Sequence, residues 1–113
     1  MELELKVRRG AVNDSIRATV AKKLQRLDRK LADAVELQVT LDREQNPRIA
    51  DDHLVEGEVR YKSLRVHAKA AGPTYEIAAD RLVDALDRQI DRHREKKIRE
   101  PRRRIAQPDA QSG

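Results

Sequence analysis

Apolar residues recur at Tyr75, Ala79, Leu82, Val83, Leu86 and Ile90, with His93 next on the same line. This i, i+3, i+4, i+7 spacing predicts an amphipathic helix over 75–99 with one buried stripe. Gly72-Pro73 breaks the chain before it, Thr74 is placed to cap it, and Pro101 is expected to stop it. A narrower stripe at Ile16, Val20, Leu24, Leu27 and Leu31 predicts a second helix, capped by Asn13 with Asp14 in its first turn. Four other stretches alternate with a period of two, the signature of half-buried strands. In 2–8, Leu3, Leu5 and Val7 share a face. In 34–42, Val35, Leu37, Val39 and Leu41 point in, while Glu36, Gln38, Thr40 and Asp42 point out. In 54–61, Val55, Gly57, Val59 and Tyr61 share a face; in 64–71, Leu64, Val66, Ala68 and Ala70 oppose Arg65, His67 and Lys69. The polar stretch 43–52, with Asn46-Pro47, reads as a loop. The short link from Tyr61 to Leu64 predicts a hairpin.

The predicted order is β-α-β-β-β-α. One apolar face per strand and one stripe per helix imply an α+β two-layer sandwich: a four-stranded sheet with two parallel helices on one face. Strands two to four form an antiparallel meander, and the first crossover is expected to be right-handed. Residues 1–100 form one domain, and 101–113 read as a basic, aperiodic tail expected to be disordered.

Charge adds what the apolar pattern lacks. Stepped at about 100° per residue, Glu76, Asp80, Asp84, Asp87, Asp91 and Glu95 form an acidic ridge on one flank of the last helix. Arg81, Arg88, Arg92, Lys96 and Arg99 form a basic ridge on the other. On the first helix, Lys22, Lys23, Arg26, Arg29 and Lys30 share a flank that holds no acid. Like charges three and four apart destabilise an isolated helix, so this ridge points to an anionic partner. With the helices side by side, the two basic ridges are expected to merge into one positive band. The acidic ridge has no role in that reading beyond keeping RNA off or pairing with a basic protein.

The 113 residues are 40% charged and 38% hydrophobic, with a net charge of +5. The excess favours nucleic acid or an acidic surface as partner. Two tyrosines are the only aromatics, so bases find few faces to stack on; phosphate, sugar and groove shape remain. With no cysteine, disulfides, thiolate metal sites and cysteine nucleophiles are excluded. No apolar run is long enough to span a membrane, and the N-terminus has no secretory pattern. His53, His67 and His93 are isolated, Asp51-Asp52 read as solvated loop acids, and Ser15, Ser63 and Ser112 lie in no nucleophile motif. No catalytic residue, metal, cofactor or small-molecule substrate is expected.

Five segments together resemble the ribosome hibernation-promoting factor family, also called ribosome-associated inhibitor A or protein Y. They are the L-x-L opening strand, the V-x-x-K-L-x-R-L run at Val20–Leu27, the V-x-L-x-V-x-L strand, V-H-A-x-A-x-G at Val66–Gly72, and D-x-L-V-D-x-L-x-R-Q-I-x-R-H-R at Asp80–Arg94. The resemblance runs from Met1 to about Arg99, and the length corresponds to a short form of the family. It implies a cytoplasmic, non-enzymatic translation inhibitor that binds small-subunit ribosomal RNA near the decoding channel and silences resting ribosomes. It implies RNA contacts at Lys23, Arg26, Arg88, Arg92 and Arg94, with Arg29, Lys30, Lys96 and Lys97 where basic residues are common. Where the family has a lysine in the last helix, this chain has Ala85. A generic double-stranded RNA-binding module has a similar core and is the alternative; a protein-interaction domain using the acidic ridge is a third.

Overall fold

The computed structural model describes residues 2–28 and 30–106, with side chains described as far as 93. The order is β1 (Glu2–Val7), α1 (Asp14–Leu24), β2 (Glu36–Arg43), β3 (His53–Arg60), β4 (Arg65–Gly72) and α2 (Tyr75–Ala106). The sheet order is β1-β2-β3-β4, with β1 parallel to β2 and the other pairs antiparallel. This is the expected α+β sandwich, helices on one face.

Both caps form where the sequence places them. Asn13 Oδ1 accepts from the Ile16 backbone N–H at 2.8 Å, and Thr74 Oγ1 from the Ile77 N–H at 3.1 Å. The α1 stripe is buried at Val20, Leu24, Leu27 and Leu31, but the α-helix stops at Leu24. A 3-10 turn, Gln25–Leu27, carries the stripe onward. At the end of this segment Tyr61 donates to the Lys30 carbonyl at 3.3 Å, tying it to the β3–β4 hairpin. The hairpin itself closes through the Tyr61 N–H to the Leu64 carbonyl at 2.8 Å.

The core is the α2 stripe laid on the sheet. Tyr75, Ala79, Leu82, Val83, Leu86 and Ile90 are buried together with Leu37, Val39, Leu41, Val55, Val59 and Val66. One row across the sheet runs Leu5, Val39, Gly57, Ala68. Gly57 lets α2 come close: a Cβ there would stand 3.1 Å from Leu86 Cδ1 and 3.3 Å from Leu82 Cδ2. At the other end of the helix Tyr75 donates its buried hydroxyl to the Asp42 carbonyl at 3.1 Å. Gly10, at φ 92°, turns the chain out of β1 through a conformation that other residues seldom adopt.

Three expectations are corrected. Val35 is 41% exposed rather than buried: β2 begins at Glu36, and Val35 lines an open groove with Tyr61, Leu64, Ile90 and His93. Asp42, expected at the surface, is only 8% exposed. It does face the helix-free side, but Arg8 at 3.3 Å and Arg9 at 3.8 Å fold over its carboxylate. Finally, α2 passes Pro101 and ends at Ala106. A mid-helix proline costs about 3 kcal/mol, but the surrounding Arg, Glu, Lys, Ile and Ala carry the helix across it. The remainder of the expected tail, 107–113, lies outside the described residues.

The Gly57–Leu86 contact makes the packing testable by denaturant unfolding. Leu86→Ala is expected to cost about 3 kcal/mol, the range for emptying a buried leucine site. Gly57→Val is expected to cost roughly 1–3 kcal/mol by the opposite route, overpacking. Wild-type stability in both variants would show that α2 does not seat on β3 as described.

Candidate nucleic-acid interface

The two helices meet along a seam of charge. Lys23 Nζ lies 3.1 Å from Asp80 and 3.7 Å from Glu76; Arg26 lies 3.1 Å from Asp80 and 3.6 Å from Asp84. Lys30 Nζ lies 2.5 Å from Asp87 and 2.7 Å from Asp91. The partners advance together along both segments, from 23 to 26 to 30 and from 76 to 91, so the helices run parallel. From Glu76 to Asp91 the acidic ridge therefore has partners within the protein, and they are Lys23, Arg26 and Lys30.

This overturns the merged positive band. An acidic row lies between α1 and the basic flank of α2. Of the cations singled out from sequence, Lys23, Arg26 and Lys30 are held in the seam. The two Lys30 carboxylates hold its ammonium pKa above the ordinary lysine value, chiefly through the hydrogen bonds to Asp87 and Asp91.

The other cations are placed differently. Lys22 is exposed and has no acid within ion-pair distance among the described residues. Arg29 lies outside the described residues. Arg81 is exposed, donating to the Ala71 carbonyl at 2.9 Å and contacting Asp51 at 3.1 Å. Arg88 is exposed, with its Nε 3.4 Å from the Asp84 carbonyl. Arg92 is exposed and without an acid partner among the described residues. Arg94, Lys96, Lys97 and Arg99 fall on the helical backbone of α2, but their side chains lie outside the described residues.

Residues 1–91 hold seventeen basic and seventeen acidic side chains, so the +5 of the chain is carried from Arg92 onward. The first 91 residues are not positive overall; what they have is an uneven distribution. The sequence reading placed Arg65 and Lys69 on the outward face and gave Lys62 no role, yet each is exposed and none makes an ion pair among the described residues. The available signal was the run of cations on the outward positions of β4.

On the helix-free sheet face, His67 Nε2 lies 2.6 Å from Glu56 and Arg8 3.6 Å from it. The His67 hydrogen bond holds the Glu56 carboxyl below its usual range. In the loop, the Arg43 hydrogen bond does the same for Asp52, at 2.9 Å. Among the described residues no group of His, Cys, Asp and Glu is arranged to hold a metal, and no helix is long and apolar enough to cross a membrane.

Two predictions follow from these geometries. A double-mutant cycle to alanine at Lys23 and Asp80 is expected to return a coupling of about 0.5–1 kcal/mol, shrinking at about 1 M salt. A coupling of zero at low salt would remove the seam as an orienting contact. The depressed Glu56 and Asp52 carboxyls contribute stability above the ordinary carboxylate range and lose it as pH falls through their folded values. Melting temperature is therefore expected to drop between about pH 5 and pH 3, and Glu56→Gln to flatten that drop.

Two solved structures share this architecture. A ribosomal subunit interface protein from Coxiella burnetii matches with a TM-score of 0.73 over 84% of this chain and 99% of its own, at 15% identity, a likeness of fold. The N-terminal domain of Thermus thermophilus Protein Y matches with a TM-score of 0.65 over 82% of this chain and 99% of its own, at 30% identity. No curated protein matches the sequence. The family model described as Sigma 54 modulation protein / S30EA ribosomal protein matches residues 3–98, from the first strand into the second helix, and the chain belongs to that family.

Proposed function

We propose that this protein is a ribosome-associated translation inhibitor, a hibernation factor that binds small-subunit ribosomal RNA near the decoding channel and silences resting ribosomes. The family match over residues 3–98 carries the reading. The named relatives support it: one is a ribosomal subunit interface protein, the other Protein Y. The protein acts in the cytoplasm and by occupancy rather than catalysis, held to the ribosome by contacts between its exposed cations and phosphates.

The scarcity of aromatics fits that mode, because phosphate contacts position a protein without reading bases. Lys22, Arg88 and Arg92 are the described candidates best placed to contribute, since among the described residues no acid pairs with them. Arg94, Lys96, Lys97 and Arg99 extend the basic sequence along α2, and Arg29 adds to α1. Lys23, Arg26 and Lys30 contribute differently: their charge is spent largely on the seam. RNA contact at these three positions has to compete with carboxylates already in place.

Co-sedimentation with separated ribosomal subunits across a salt series tests the proposal. Salt-sensitive binding to small subunits, with little binding to free duplex RNA, is the expected outcome. Arg88→Ala and Arg92→Ala should each reduce the salt slope by about one. Binding to free duplex RNA at physiological salt would favour the generic double-stranded RNA module, and no association at low salt would end the ribosomal reading.

A further inference from the structure

We infer that the edge formed by β4 and the outer flank of α2 is a phosphate-tracking strip, which takes the backbone of a ribosomal RNA strand along its length. The inference rests on the ribosomal reading for its partner, and on geometry for its place. The acidic flank of α2 faces α1 across the seam. Its basic flank, on the opposite side of the buried stripe, is thereby turned toward β4, the last strand of the sheet. Arg81 shows the contact directly, since its guanidinium reaches the carbonyl of Ala71 in β4.

The two elements run side by side. Tyr75 follows Gly72 closely in sequence, while Ile90 and His93 line a groove with Lys62, Leu64 and Val66 at the hairpin end. Arg81 is therefore level with the end of β4 and Arg92 with its beginning. Arg81, Arg88 and Arg92 repeat at intervals of seven and four, which keeps them on one flank over about 16 Å. On the other side of the same edge strand, Arg65 and Lys69 project from alternate positions, with Lys62 in the hairpin. All six side chains are exposed.

The local acids leave much of this charge free. Arg65 pairs in register with Arg60, whose guanidinium is held by Glu36 at 3.3 Å. Lys69 stands opposite Glu56, but that carboxylate is bonded to His67 at 2.6 Å. Among the described residues, Arg81 alone of the six has a carboxylate of its own, Asp51. The far edge is of opposite character: Glu2 and Glu4 are exposed on β1, and Lys6 is tied to Glu4 at 3.4 Å. A domain with no net charge through residue 91 thus carries its exposed cations unevenly: they gather at the β4 edge, while the charged side chains of β1 sum to one negative charge. Such polarity orients it on a polyanion. Charged side chains on an edge strand also deter strand pairing between molecules. The cations of β4 would suffice for that; those of α2 at the same edge would not be needed.

The test compares the loss of one positive charge at each edge in the full chain. In co-sedimentation with small ribosomal subunits, Arg65→Gln is expected to reduce the salt slope by about one, and Lys62→Gln with Arg65→Gln by about two. Lys6→Gln, on the opposite edge, should leave the slope unchanged. Equal effects of Lys6→Gln and Arg65→Gln, or none from Arg65→Gln with its melting temperature intact, overturn the strip. Aggregation of Arg65→Gln without a change in slope overturns it in favour of edge protection. A heparin column reads the same edge without the ribosome: earlier salt elution for Arg65→Gln than for Lys6→Gln is expected. If that order holds while wild-type protein ignores small subunits, the ribosomal reading fails and the strip stands as a polyanion site. If both elute together, the strip itself fails.

Discussion

The ion ladder between α1 and α2 sets the electrostatic character of this protein. Exposed pairs of this kind contribute little stability each, of the order of 0–1 kcal/mol. Their effect is on arrangement. Lys23, Arg26 and Lys30, in α1 and the turns that continue it, each meet two acids spaced along α2, so only a parallel pair in one register satisfies all three. Buried apolar surface holds the helices to the sheet, and the ladder specifies how they lie against one another.

That arrangement has a consequence for recognition. Pairing Lys23, Arg26 and Lys30 with the acids of α2 leaves Lys22, the outer flank of α2 and the adjoining strand edge as exposed described cations, and further basic sequence follows from Arg92 onward. A binder built this way grips a polyanion by its rim rather than by its broadest face. Cations already committed to carboxylates add little counterion release when RNA arrives, because their charge is largely compensated beforehand. The uncommitted ones supply most of it.

Packing and charge are linked through α2. Gly57 lets Leu82 and Leu86 settle close to the sheet, and Tyr75 anchors one end of the helix to β2. The buried stripe fixes the rotation of the helix about its own axis. Once that rotation is fixed, Asp80 and Asp87 must face α1 and Arg81 must reach the edge of β4. The apolar residues thus determine where the charges point.

The element types, both helix caps, the hairpin, the inward faces of the strands and the family resemblance were legible in the residues themselves. They rest on local matters: period, cap chemistry and turn composition around Asn13, Thr74 and Tyr61–Leu64. The two ridges of α2 were equally legible, because a helical wheel needs only the sequence. Which ridge faces α1 was not, since an angle about one axis does not say which neighbour lies on which side. Sheet order and the placement of both helices on one face decide that, and they turn the acidic ridge from a feature without a role into the partner of Lys23, Arg26 and Lys30. The burial of Asp42 beneath Arg8 and Arg9 also joins residues 33 or more positions apart, and alternation along one strand carries no information about what folds over its end. Period and composition determined the elements and their faces; only the tertiary structure determined which charges cancel and which remain for a partner.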